Sequence, residues 1–149
     1  MPEALNLEQL KTQANEIRKL IIRITTEAGS GHPTSSLSAT DIVTALYFGG
    51  FMKYDPRKPA DPDRDRFILS KGHACPVLYS AMAEAGYFPV DEIMTLRKLG
   101  SPYEGHPNMK RLPGIEASTG SLGQGLSIGI GWNALLWLGR RYMAVKMER

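Results

Sequence analysis

The chain has 149 residues, 42% of them hydrophobic and 22% charged, with a net charge of +3, which is the make-up of one ordinary globular domain with a single core. The basic excess gathers in the tail, where Arg140, Arg141, Lys146 and Arg149 face only Glu148, so there is no basic stripe or aromatic platform for nucleic acid. The longest apolar run, the 14 residues from Leu126 to Gly139, is too short to span a bilayer and predicts a buried helix.

In chain order, MPEALNLEQLK is polar and acidic, unlike a secretory signal. Leu7, Leu10, Ala14, Ile17, Leu20, Ile21 and Ile24 recur at steps of three and four. They predict one apolar stripe on a helix of about six turns. Asn6 and Gln9 have capping-box spacing at its start, and Gly29 stops it. GSGHPTSS follows as a turn. Ser38 and Asp41 again have capping-box spacing, ahead of a short helix through Ile42, Val43, Leu46 and Tyr47 that ends at Gly49-Gly50. DPRKPADPDRDR, residues 55–66, reads as a solvated loop.

Phe67-Ile68-Leu69 predicts a short buried strand, and Ser70-Lys71-Gly72-His73 a turn. Pro76 suits the first turn of a helix with Val77, Leu78, Ala81, Met82 and Ala85 inward and Gly86 at its end. Strand, glycine turn and helix together predict an open α/β sheet, with His73 at a strand's carboxyl end where ligands bind. Asp91 to Leu99 predicts a short helix and Ser101 to Gly114 a loop. STGSLGQG, residues 118–125, opens the last helix. Its exposed N–H groups suit a cofactor or anion. Gly125 and Gly129, on one face, equally suit close helix packing. Cys75 is the only cysteine, so no disulfide forms within the chain, which fits a reducing cytoplasm.

Each of the three histidines follows a glycine: Gly31-His32-Pro33, Gly72-His73-Ala74 and Gly105-His106-Pro107. With glycine at 15 of 149 positions, chance gives that roughly one time in a thousand. Each alone could be a surface turn. Together they place three imidazoles on shaped turns, where a ligand can approach closely.

GSGHPTSS, LSKGHACP, EGHP and STGSLGQGLS, in this order and at these spacings, resemble the amino-terminal part of transketolases across about residues 7–131. The likeness is closer to split transketolases, whose diphosphate-binding and pyrimidine-binding domains are separate polypeptides. The resemblance implies an incomplete α/β fold that binds thiamine diphosphate, with a helix-rich front part and a partial parallel sheet. It implies that residues 1–149 are the amino-terminal part of a diphosphate-binding domain. It places His32 and His106 in the substrate channel as catalytic groups. It places Ser35, His73, Gly120, Ser121 and Leu122 against the cofactor. The activity implied is transfer of two-carbon ketol units between sugar phosphates. A carboxy-terminal subunit with the pyrimidine-binding domain is the expected partner, in a cytoplasmic oligomer of the pentose phosphate pathway.

The family holds the diphosphate through Mg²⁺, bound by a Gly-Asp-Gly turn and a later asparagine. This sequence has no aspartate after Asp91. Residues 132–149, WNALLWLGRRYMAVKMER, form a divergent tail in which Trp132 and Trp137 stand at positions the family fills with small residues. Tyr142 to Val145 could open another strand. No metal ligand is expected within the chain, and the isolated chain is expected to be inactive. The alternative is a non-catalytic assembly or interaction module that has lost the metal site.

Overall fold

The computed structural model describes residues 3–147, with side chains through residue 135. Helix α1 spans Leu7–Glu27. Its start is a full capping box: Gln9 N donates to Asn6 Oδ1 at 3.0 Å and Asn6 N donates to Gln9 Oε1 at 2.9 Å. Two of the helix's orphan donors are thereby satisfied. The stripe read from the sequence is the buried one, with Ala14, Ile17, Leu20, Ile21 and Ile24 in the interior. Burial of each large aliphatic side chain contributes about 1.5–3 kcal/mol.

Helix α2 (Pro33–Leu37) and helix α3 (Thr40–Phe48) follow. A single 3-10 turn, Gly72–Ala74, leads into α4 (Cys75–Glu84). A second 3-10 segment spans Val90–Thr95, and α5 runs from Gln124 to Met147. The centre of the core is α4, packed against α1 and α3. All residues of α4 from Cys75 to Ala83 are buried, so it is covered on every side rather than on the one face its apolar spacing predicted. Around its far end Tyr47, Tyr54 and Tyr87 form an aromatic patch, with Tyr54 OH donating to Tyr47 O at 2.8 Å.

Several expectations need correction. The Ser38–Asp41 capping box does not form: α3 begins at Thr40, and Ser38 Oγ donates instead to Ser35 O at 2.9 Å. The turn after His32 is the short helix α2, which the fixed φ of Pro33 starts. The helix expected over residues 91–99 is the shorter 3-10 segment. Residues 142–145 continue α5 rather than opening a strand. Loop 55–66 is not solvated throughout, because the side chains of Arg64 and Arg66 are 8% and 20% exposed and pair with the buried Glu116. The expected strand at 67–69 has no ladder, and no strand occurs among the described residues. A parallel strand needs a neighbour to satisfy its backbone groups, and none of the described segments lies alongside as one. Glu148 and Arg149 lie outside the described residues.

The run after Leu126 is helical, but its described apolar side chains are not covered. Leu126, Ile130 and Leu135 are 72%, 63% and 67% exposed. Helix α5 meets the rest of the molecule through its glycine face. A Cβ on Gly125 would lie 2.5 Å from Ser70 Cβ, and one on Gly129 would lie 3.9 Å from Ile68 Cδ1. Trp132 adds a second tie, its ring 5.0 Å from the Arg66 guanidinium carbon, within cation–π range.

Candidate active site

The three glycine–histidine turns converge, and each glycine has its own reason. Gly31 has φ +139°, and a Cβ there would lie 2.8 Å from Thr25 Cγ2. Gly72 packs against the backbone of Thr119, which leaves no space for a Cβ. Thr119 Oγ1 also donates to Leu69 O at 2.8 Å, so the 118–123 turn is bolted to the turn that carries His73. At Gly105 the space a Cβ would take is filled by the Arg97 guanidinium, 2.6 Å away.

His32 sits at the N-cap of α2 and His73 in the 3-10 turn before α4. Their ring centroids are 5.1 Å apart, edge to face. Ser35, one turn into α2, brings its Oγ to 2.8 Å from His73 Nε2. Lys71 closes this side: its Nζ donates to Ser35 O at 2.7 Å and to Ser38 Oγ at 2.9 Å. Burial, and then the neighbouring His32, Lys71 and His106, hold the His73 pKa below the ordinary imidazole value. The ring is therefore tuned toward its neutral form, able to donate from one nitrogen and accept at the other.

His106 reaches the same mouth from the 101–114 loop. A Cβ on Gly120 would lie 3.3 Å from His106 Cδ2, so His106 lies against the STGSLG turn. Its loop is held from below by α4. Tyr79 OH lies 3.0 Å from Glu104 O and 3.1 Å from His106 O, and Cys75 Sγ lies 3.5 Å from Glu104 O. Burial pushes the Cys75 thiol up to about 12, which suits a packing group rather than a nucleophile.

The structure thus brings His32, Ser35, His73, His106 and Gly120 to one mouth. Ser121 and Leu122 lie on the exposed rim of the same turn. Sequence reasoning missed the tethering groups. Tyr79 was hidden on a helix buried all round, and Arg97 carries no motif.

The donors suit an anionic, ring-bearing cofactor. Lys71 supplies a cation, Ser35 and Ser38 supply hydroxyls, and residues 118–124 are exposed save for Thr119. The described residues do not suit Mg²⁺: no group of three His, Cys, Asp or Glu among them could hold a metal ion, and Mg²⁺ requires hard oxygen ligands. No helix among the described residues is long and apolar enough to cross a membrane.

Residues 9–141 match the family described as transketolase, thiamine diphosphate binding domain, and the chain belongs to it. It is 48% identical over 130 residues to the transketolase of Pongo abelii, covering 87% of this chain and 20% of that protein. It is 48% identical over 122 residues to the 6-deoxy-6-sulfo-D-fructose transketolase subunit SqwG of a Clostridium species, covering 82% of this chain and 44% of that subunit. Among solved structures, the Pichia stipitis transketolase in complex with sedoheptulose-7-phosphate superposes with a TM-score of 0.78 at 37% identity. That match covers 82% of this chain and 18% of the Pichia chain. The chain spans about a fifth of the length of these full transketolases.

Proposed function

We propose that this chain is the amino-terminal part, or amino-terminal subunit, of a transketolase that transfers two-carbon ketol units between sugar phosphates. It acts in the cytoplasm, as part of an oligomer, together with a polypeptide that supplies the pyrimidine-binding domain. The observation that carries the reading is the meeting of His32, His73 and His106 at one mouth beside Gly120. Support comes from the match over residues 9–141 and from a similar subunit whose own name is that of a transketolase subunit.

Thiamine diphosphate supplies a carbon nucleophile and an electron sink when bound. The chain's residues do the rest of the work proposed here. Lys71, Ser35 and the 118–123 turn would receive the anionic end, and Gly120, Ser121 and Leu122 would contact the cofactor. His73, its pKa lowered by burial and its ring hydrogen-bonded to Ser35, would hydrogen-bond the diphosphate and fix its orientation. His32 and His106 hydrogen-bond the sugar's hydroxyl and carbonyl oxygens and exchange protons with them, which imidazole does well near neutral pH. Residues 67–69 pair as a strand of a partial parallel sheet in the assembled domain. Residues 132–149 form a divergent tail, with Trp132 tying α5 to Arg66. Mg²⁺, where used, is held by residues outside the described set.

A second reading, a non-catalytic assembly module, is favoured by the uncovered apolar face of α5. Kinetics separate the two. The chain is mixed with a polypeptide that supplies the remaining transketolase length, and ketol transfer is followed for His32→Ala and His106→Ala. Each substitution is expected to lower turnover by about 10²–10⁴-fold. A mixture that forms a stable complex yet transfers no ketol unit selects the assembly module.

A further inference from the structure

We propose that Arg97 is a positioning residue: its guanidinium latches the His32 turn to the His106 loop and sets the gap between those two imidazoles. The inference rests on the ketol-transfer reading for its consequence, but the latch itself is read from geometry. Arg97 is the non-glycine residue with positive φ among the described residues, at +60°. A bulky residue in that region is strained and persists only where its surroundings hold it. Two contacts do so. Arg97 N donates to Tyr103 O at 2.8 Å, which folds the chain back on itself. Arg97 Nη1 donates to Ser30 Oγ at 2.8 Å, across 67 residues of sequence.

The other face of the guanidinium occupies the position a Cβ of Gly105 would take, 2.6 Å from Nη2. Gly105 does not itself have positive φ. Its lack of a side chain is therefore explained by the approach of Arg97 and not by its own backbone. One planar group touches Ser30, two residues before His32, and Gly105, the residue before His106. The left-handed backbone at residue 97 aims the side chain into this gap. The neighbouring Lys98 ties the same segment to the end of α1 instead: its ion pair with Glu27 spans 2.8 Å between side chains about half exposed, the kind of pair that contributes little. Lys98 thus serves as the control for a merely local tie.

The decisive variant is Arg97→Gly, because glycine relieves the strained backbone while removing the guanidinium. On the 149-residue chain, amide hydrogen exchange of residues 29–32 and 104–106 is expected to accelerate together in Arg97→Gly and in Ser30→Ala, and not in Lys98→Ala, with the melting temperature of Arg97→Gly unchanged or higher. In the complemented enzyme, Arg97→Gly is expected to lower kcat by roughly 10–10²-fold, a size that misplacement of catalytic groups can produce. KM is expected to move by less than about two-fold, and added guanidinium ion to restore part of the rate. Exchange that stays unchanged in both Arg97→Gly and Ser30→Ala overturns the latch. So does a kcat loss in Lys98→Ala equal to that in Arg97→Gly. Accelerated exchange in a chain whose complemented wild type transfers no ketol unit upholds the latch and overturns the ketol-transfer reading instead.

Discussion

Helices α4 and α5 are both rich in apolar and small residues, yet they meet the rest of the molecule in opposite ways. Every residue of α4 from Cys75 to Ala83 is buried. Among its described side chains, helix α5 approaches through Gly125, Gly129 and Trp132, and leaves Leu126, Ile130 and Leu135 largely exposed. The difference shows where the candidate site draws its rigidity. Helix α4 begins at the turn carrying His73, and its Tyr79 holds the loop carrying His106. The site is fixed from the α4 side and open on the α5 side, where the glycine-rich turn borders it.

The contrast predicts unequal costs of substitution. Tyr79→Ala removes a fully buried ring that packs against Tyr103 at 5.6 Å between centroids. Thermal or urea melts of the chain should show a loss of about 3–5 kcal/mol. A loss under about 1 kcal/mol would mean that α4 is not the anchor described. Tyr79→Phe keeps the ring and deletes only the hydroxyl shared by Glu104 O and His106 O. It should cost about 1–3 kcal/mol and loosen the His106 loop, seen as faster amide exchange at residues 104–106. Equal exchange in wild type and Tyr79→Phe would detach the loop from α4.

The pH dependence is a smaller effect. Burial leads the forces that hold His73 below its ordinary value, so folding disfavours the proton. The stability contribution is complete above about pH 6.5, the unfolded value. It falls as pH drops from there toward the lower folded value, since the unfolded chain then binds more protons. Melts of His73→Gln should lose that segment of the slope, and an unchanged profile would place the imidazole in ordinary solvent. Smallest of all is Leu126→Ala on the open face of α5. It should change stability by no more than about 0.5 kcal/mol, and a larger loss would show that the face is covered.

How much of this was legible in the sequence depended on whether the signal was local. Helix α1 was fully legible, because its capping box and its 3.6-residue stripe lie within one segment. The start of α4 was legible from Pro76. Helix α2 was not, since its five residues are too few to show a period. Ser38 had the spacing of a cap, but its hydroxyl is engaged by Ser35 and Lys71, a residue 33 positions away. Residues 142–145 look strand-like in composition, and the helix simply runs through them. Glycines before histidines flagged the site, though not the separate reason for each. Gly105 makes sense only beside Arg97, and the tie from Arg97 to Ser30 spans a distance in sequence that no motif records.

The converging turns are expected to receive thiamine diphosphate. The most direct measurement is calorimetric titration of thiamine diphosphate, with and without Mg²⁺. It is made into the chain alone, into the chain mixed with a polypeptide supplying the rest of a transketolase, and into the same mixture carrying His73→Ala. The chain alone should bind weakly and gain little from Mg²⁺, because its described residues offer Lys71 but no metal-holding cluster and a buried diphosphate needs more charge compensation than one ammonium. The wild-type mixture should bind with Mg²⁺ dependence, and His73→Ala should weaken that binding by about ten-fold or more, the loss of a hydrogen bond to a charged group. Identical binding by the wild-type and His73→Ala mixtures, or no binding by a stable wild-type complex, would contradict the account.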